Sequence, residues 1–142
     1  LENPTNRRIF EMTETDTRTN ITQVGTVMVP VADQDRAIEF YTEKLGFEKR
    51  LDTPFGQGDR WVEVAPPGAA TTIALVQPRE GDPTGIETRV AFTSGQIDAD
   101  HSDLRAKGVD VDAEVMRMGP PVPPMFFFRD QDGNTLLVVG QD

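Results

Sequence analysis

The 142-residue chain has no cysteine, only one each of tryptophan, tyrosine and histidine, and no long apolar run. Without cysteine there can be no disulfide, no thiolate nucleophile and no cysteine-ligated metal, and the composition fits a reducing cytoplasm. No stretch approaches the roughly 18 apolar residues of a spanning helix, so no membrane partner is expected. No apolar segment opens the chain as a secretory signal would. Basic residues are also scarce, with 14 Lys and Arg against 24 Asp and Glu, a formal net charge of -10. Such a surface repels phosphate backbones, so nucleic acid is not an expected partner. The charge serves solubility and mildly favours cationic ligands.

What remains suffices for one compact domain or two small fused modules. The opening LENPTNRRIFE fits poorly with the rest of the chain, and Met12 leads into the polar run MTETDTRTN. Residues 1–21 are therefore read as an N-terminal extension, with 1–11 a candidate expression-derived segment. The next stretch, TQVGTVMVPVADQDRAIEFYTEKLGF, alternates: Val27, Val29 and Val31 share one strand face, Thr26, Met28 and Pro30 the other. Asp33 is placed to cap a helix whose Ala37, Ile38, Tyr41 and Leu45 fall at helical spacing and which Gly46 ends. Strand-like runs come next at 47–53, 60–65 and 71–77, broken by the turn sequences PFGQGD and PPGAA.

The pattern then recurs. A strand is expected at 89–93, a helix on the face of Ile97, His101 and Leu104 closed by Gly108, and strands at 109–118, 125–129 and 135–140. Val27 and Val90 lie 63 apart, Gly46 and Gly108 62 apart, so the chain holds an internal βαβββ repeat with a one-residue slip. Modules 22–77 and 86–141 form a single domain, joined by the linker PREGDPTG at 78–85. The expected class is α+β: two tandem βαβββ modules forming a curved mixed sheet, with a cup on the concave side and helices outside. Functional side chains should then lie opposite the valine face.

Three stretches, VPVADQDRAIEFYTEKLGF, SGQIDADHSDLRAKGV and FFFRDQDGNTLLVV, resemble the vicinal oxygen chelate superfamily, also called the glyoxalase/bleomycin resistance/dioxygenase fold. The resemblance spans about residues 22–141. It implies the fold more than the activity, since the superfamily includes isomerases, dioxygenases, epimerases, thiol transferases and drug-binding proteins. Metal-dependent members place one ligand on each of four strands. The resemblance maps these onto Thr26, Ala74, Arg89 and Leu137, none of which suits a divalent cation held by three or four N/O donors. Positions one residue away offer no rescue, so no metal or other cofactor is expected unless the alignment itself is wrong. His101 falls on the outer helix, where packing is the expected role.

The cup should hold Thr26 and Met28 from the first strand, Trp61 and Glu63 from the third, Arg89 and Ala91 from the fifth, and Leu137 and Val139 from the last. Of Phe126, Phe127 and Phe128, alternation sends either the middle ring or the outer two inward. The result is an apolar pocket with two charges, Glu63 and Arg89, the composition of a small-molecule site. The bland alternatives are core or dimer-seam roles for the aromatic residues and a mutual ion pair for the charges. The sharper ones make Arg89 a bidentate grip on a carboxylate or phosphate and Glu63 a general base. The proline-rich GPPVPPMFFF is either a rim over the pocket or a rigid connection. The expected function is therefore binding of a small, partly apolar molecule by a cytoplasmic homodimer. The alternative is a glyoxalase-like lyase or isomerase acting on a small oxygenated substrate.

Overall fold

The computed structural model describes residues 17–141; the segment 1–11 set apart above lies outside them. The elements are β1 (Thr26–Pro30), α1 (Gln34–Glu39), β2 (Glu48–Phe55), β3 (Asp59–Ala65), β4 (Thr72–Val76), β5 (Glu87–Ser94), α2 (Ile97–Ala106), β6 (Asp110–Val111), β7 (Met125–Arg129) and β8 (Thr135–Gly140). They form two four-stranded sheets, ordered β1-β4-β3-β2 and β5-β8-β7-β6. In each, the first and last strands of the module run parallel and the other pairs antiparallel. The repeat read from the sequence is thus the repeat of the fold. No helix among the described residues is long and apolar enough to cross a membrane.

Local chemistry sets the helix ends. Asp33 is extended, and its carboxylate accepts from the Arg36 N–H at 3.1 Å, satisfying a donor that has no partner within the helix. Beyond Glu39 the helix widens to π geometry over Phe40–Lys44, and Gly46, at a φ of 74°, turns the chain toward β2.

Each sheet buries one face under its own helix. Val29, Val31, Val62, Val64, Ile73 and Leu75 pack with Ala37 and Tyr41 of the first helix. Phe126, Phe128, Leu136 and Val138 pack with Ile97 and Leu104 of α2. Full burial of one such side chain contributes about 1.5–3 kcal/mol. Phe40, Leu45, Val90 and Phe92 touch both clusters, so an apolar seam joins the modules. Within that seam Phe92 meets Phe47 edge-on and stacks on Phe128. His101 belongs to the second core: it is buried, sits edge-on to Phe126, and its Nε2 lies 2.7 Å from the Asp112 carbonyl oxygen.

The strand expected over 109–118 is the largest departure from the sequence reading. Only Asp110–Val111 pairs regularly, and the chain rejoins β7 at a single bridge between Met116 and Met125. Asp112 is the cause. Its N–H donates to the Phe127 carbonyl at 3.0 Å, while its carboxylate accepts from the Phe127 N–H at 3.1 Å and from Arg129 at 3.0 Å. A side chain thus takes a bond that a backbone carbonyl would have made, and the ladder stops.

A polar network also crosses between modules at the β7–β8 turn. The buried Asp130 carboxylate accepts from the Tyr41 hydroxyl (2.7 Å), the Asn134 side chain (3.0 Å), and the N–H groups of Asp132 (2.9 Å) and Asn134 (3.0 Å). The fully buried Asn134 amide donates to the Pro30 carbonyl and accepts from the N–H groups of Gly85 and Ile86, each at 2.9 Å. Asp132 accepts from the Ala32 N–H at 2.8 Å. Burial, followed by the neighbouring Asp130 carboxylate, holds the Tyr41 phenol well above its ordinary pKa.

Tyr41→Phe should therefore lower stability by about 1–3 kcal/mol in urea unfolding at neutral pH, because Asp130 loses one donor while staying buried. Asn134→Ala, which strands several partners, should cost more. A pKa raised by folding means the Tyr41 contribution is complete below the unfolded value of about 10 and is lost as pH rises through the folded value. The wild type should thus weaken above about pH 10 by an increment that Tyr41→Phe lacks; an identical alkaline decline in both would refute this.

Candidate functional site

The faces turned away from the helices carry the candidate site. In the first sheet, the pairings Thr26–Thr72, Met28–Ala74, Ala74–Glu63, Leu51–Glu63 and Thr53–Trp61 put these residues on one face. That face is open: Met28 is 62% exposed, Phe55 50% and Leu51 43%. Ala74 is fully buried between its larger neighbours. In the second sheet the corresponding face holds Ala91, Leu137, Thr93, Val139, Met125 and Phe127.

The polar part of the first face is a hydrogen-bonded row. The Trp61 indole N–H donates to Glu63 Oε2 at 2.6 Å, and the Thr72 hydroxyl donates to Glu63 Oε1 at 2.8 Å. Thr26 and Thr72 hydroxyls lie 2.9 Å apart. With the Thr72 proton committed to Glu63, Thr26 must be the donor in that contact. The row fixes the Trp61 ring and takes an acceptor position on each Glu63 oxygen. Glu63 forms no ion pair with Arg89 among the described residues, so the mutual pair considered from the sequence is replaced by these neutral donors.

Arg89 is the sole non-glycine residue with positive φ among the described residues, at 63°. It sits where β5 loses register with β8, between the Glu87–Thr135 and Ala91–Leu137 pairings. Such a conformation costs about 1 kcal/mol for an L-residue and persists only where the surroundings enforce it. Here the Thr88 hydroxyl enforces it, donating to the Thr135 carbonyl at 2.7 Å and accepting from the Val90 N–H at 3.1 Å. The Arg89 side chain is exposed and pairs with no described residue.

The phenylalanine run resolves by the same ladder logic. Phe126 is 0% and Phe128 1% exposed, both in the second core, while Phe127 pairs with Leu137 on the opposite face. Phe126 and Phe128 were both candidate ligand contacts; the middle ring alone keeps that place. Thr26, Met28, Trp61 and Glu63 come together on the first sheet, Phe127 and Leu137 on the second.

A charged rim that sequence spacing did not mark closes one end of the first sheet. Arg60 binds Asp52 through two nitrogens, at 2.7 and 2.8 Å, and Asp35 at 2.9 Å. The Arg60 guanidinium holds the Asp52 carboxyl well below the usual carboxylate range. Gln34, buried beneath it, donates to the carbonyls of Arg60 (2.8 Å) and Leu75 (2.9 Å), fixing the start of α1 on β3 and β4.

A family model, the Glyoxalase/Bleomycin resistance protein/Dioxygenase superfamily, matches residues 23–138. The chain belongs to this superfamily. YetH of Bacillus subtilis is 35% identical over 123 residues, covering 83% of this chain and 98% of that protein. Among solved structures, a superfamily member from Sphaerobacter thermophilus superposes with a TM-score of 0.81 at 32% identity, over 87% of this chain and all of its own. TnmS3, an antibiotic binding protein from a Streptomyces species, gives a TM-score of 0.77 at 33% identity, over 88% of this chain and 100% of that one.

The superfamily's metal-dependent members invite a test of the donor set at the four positions onto which the resemblance maps their ligands. Thr26 spends its proton on Thr72, Ala74 and Leu137 have no donor atom beyond the backbone, and Arg89 is a cation. No group of three His, Cys, Asp or Glu side chains among the described residues could hold a metal ion. These residues do not fit a divalent cation.

Glu63→Gln should preserve the hydrogen-bonded row, since its oxygen can serve Trp61 while its amide donates to Thr72. Glu63→Ala should strand the indole N–H and lower stability by about 1 kcal/mol. Trp61 is the only tryptophan, so its emission reads the change directly: shifted in Glu63→Ala, near wild type in Glu63→Gln.

Proposed function

We propose that the protein binds a small, partly apolar organic molecule in the cup formed by the open sheet faces, without the metal chemistry of its catalytic relatives. One observation carries the reading: Met28, Leu51 and Phe55 are exposed beside a Trp61–Glu63–Thr72 row, on a face that the core does not use. Apolar surface with a few oriented polar groups is the usual make-up of a small-molecule site. Thr26, Phe127 and Leu137 extend the apolar and hydroxyl surface, and Arg89 supplies a cation for a polar or anionic ligand group. The likeness to TnmS3, an antibiotic binding protein, supports binding rather than turnover. A lyase or isomerase using Glu63 as proton acceptor is the competing reading. It is weakened by the two donors that already occupy the Glu63 oxygens.

The same exposed apolar side chains lead us to propose a homodimer in which a second copy helps enclose the ligand, and the cysteine-free composition supports a cytoplasmic setting for it.

A screen of drug-like and metabolite compounds should yield ligands that raise the melting temperature, with the gain reduced in Trp61→Ala. No stabilisation by any compound would reject the binding reading. Protein purified without chelator should contain no stoichiometric zinc, nickel, manganese or iron, and finding one would favour the enzyme. Light scattering at micromolar concentration should give twice 15.7 kDa rather than the single-chain mass.

A further inference from the structure

At the end of the first sheet, where β2 finishes, β3 begins and β4 finishes, lies an open cavity of about 610 Å³ whose wall includes Phe55, Trp61, Val76, Asp59, Arg60 and Arg79. Its apolar part is an aromatic corner. Phe55 and Trp61 meet edge-to-face, with centroids 6.0 Å apart and planes at 77°. The Trp61 ring is locked by its bond to Glu63, and Phe55 is half exposed. A corner of two perpendicular rings suits a third flat ring, which can stack on one and meet the edge of the other.

Its charges are unequal in availability. Arg60 is spent on Asp52 and Asp35. The Asp59 carboxylate folds back over its own turn, with Oδ2 3.8 Å from where a side chain on Gly56 would begin. Arg79 is different. Its backbone is pinned, its N–H donating to the Asp82 carboxylate at 3.1 Å and its carbonyl accepting from the Asp82 N–H at 2.9 Å. Its guanidinium pairs with no described residue. The cavity therefore joins an aromatic corner anchored at Trp61 to one uncommitted, planar, doubly donating cation that projects from a pinned backbone.

We propose that this cavity is a subsite for a planar aromatic group bearing a carboxylate, with the ring against Phe55 and Trp61 and the carboxylate on Arg79. The proposal rests on the small-molecule reading above and narrows its ligand class. It runs against the chain's acidic field, so the selectivity has to be local to Arg79.

Calorimetric titration with naphthoate, naphthylmethanol and naphthylmethylamine tests it on the full chain. Naphthoate should bind tightest and quench Trp61. Arg79→Gln should weaken naphthoate by about tenfold, to the level of the alcohol, since a charge-assisted pair at a half-open site is worth roughly that factor. Arg105→Gln, an equal change in net charge on α2, should leave the preference intact. Phe55→Ala should weaken naphthoate and alcohol alike. Equal binding of the three probes, preference for the amine, a preference that survives Arg79→Gln, or one abolished by Arg89→Gln instead would each overturn the proposal. So would failure of all three probes; if other compounds still raise the melting temperature, the broader reading stands and this subsite falls alone.

Discussion

The Asp130 carboxylate is the constraint on which the rest of the structure depends. It is buried, so it must be fully hydrogen-bonded. Two of its four donors are backbone N–H groups of its own turn, one is the Asn134 side chain, and one is the hydroxyl of Tyr41 in the other module. The apolar seam of Phe40, Leu45, Val90 and Phe92 attracts without direction; it would tolerate some sliding of one module over the other. The polar network does not. Asn134 bonds to Pro30 at the end of β1, to Gly85 at the end of the linker and to Ile86 just beyond it, while Asp132 bonds to Ala32. Gly85 has a φ of 73°, and a side chain there would begin 2.9 Å from the Asp132 carbonyl oxygen. Only glycine lets the linker pass this close. The two open sheet faces therefore keep a fixed relation because one turn fastens both modules and their linker.

This fastening explains why a candidate site can sit on surfaces that contribute little to the core. The valine faces, the two helices and the network around Asp130 hold the chain. The opposite faces are left to side chains such as Met28, Leu51 and Phe55, whose exposure would be a liability without a partner or ligand. The strain at Arg89 belongs to the same division of labour. It lies on the open side of the structure, where Thr88 replaces the ladder bonds that the bulge removes.

Much of the fold was legible in the sequence because its signals are local. Asp33 caps α1 within three residues, Gly46 and Gly108 close helices where periodicity stops, and the repeat shows as a spacing. What was not legible involves long separations or broken alternation. DQDGN reads as a tight turn, and nothing in those five letters points to Tyr41, 89 residues away, or to Pro30, 104 away. Alternation leaves two equal choices for Phe126, Phe127 and Phe128; burial of the outer pair follows from α2 lying over that face. The 109–118 stretch alternates well enough to suggest a strand, but Asp112 diverts it with a side-chain bond. For the site, Trp61 and Glu63 were legible as face-mates, yet their direct hydrogen bond was not, and Glu63–Arg89 was the more obvious pair on charge alone. The cavity beside Arg79 draws on three strand ends and a loop, a conjunction no single window contains.

The four positions onto which the family resemblance maps metal ligands illustrate how far site and scaffold are separable. Thr26 contributes a hydroxyl to the row on β1 and β4, Ala74 fills the gap between Met28 and Glu63, Leu137 pairs with Ala91 and Phe127, and Arg89 occupies the bulge. None takes part in the network around Asp130, and none belongs to the buried clusters that pack against the helices. Thr26, Arg89 and Leu137 can change without entering either core or the fastening turn, whereas Ala74, fully buried, leaves little room for a larger side chain. The chemistry proposed for the cup therefore has to be read from residues such as Trp61, Glu63, Arg79 and Arg89 rather than from the fold.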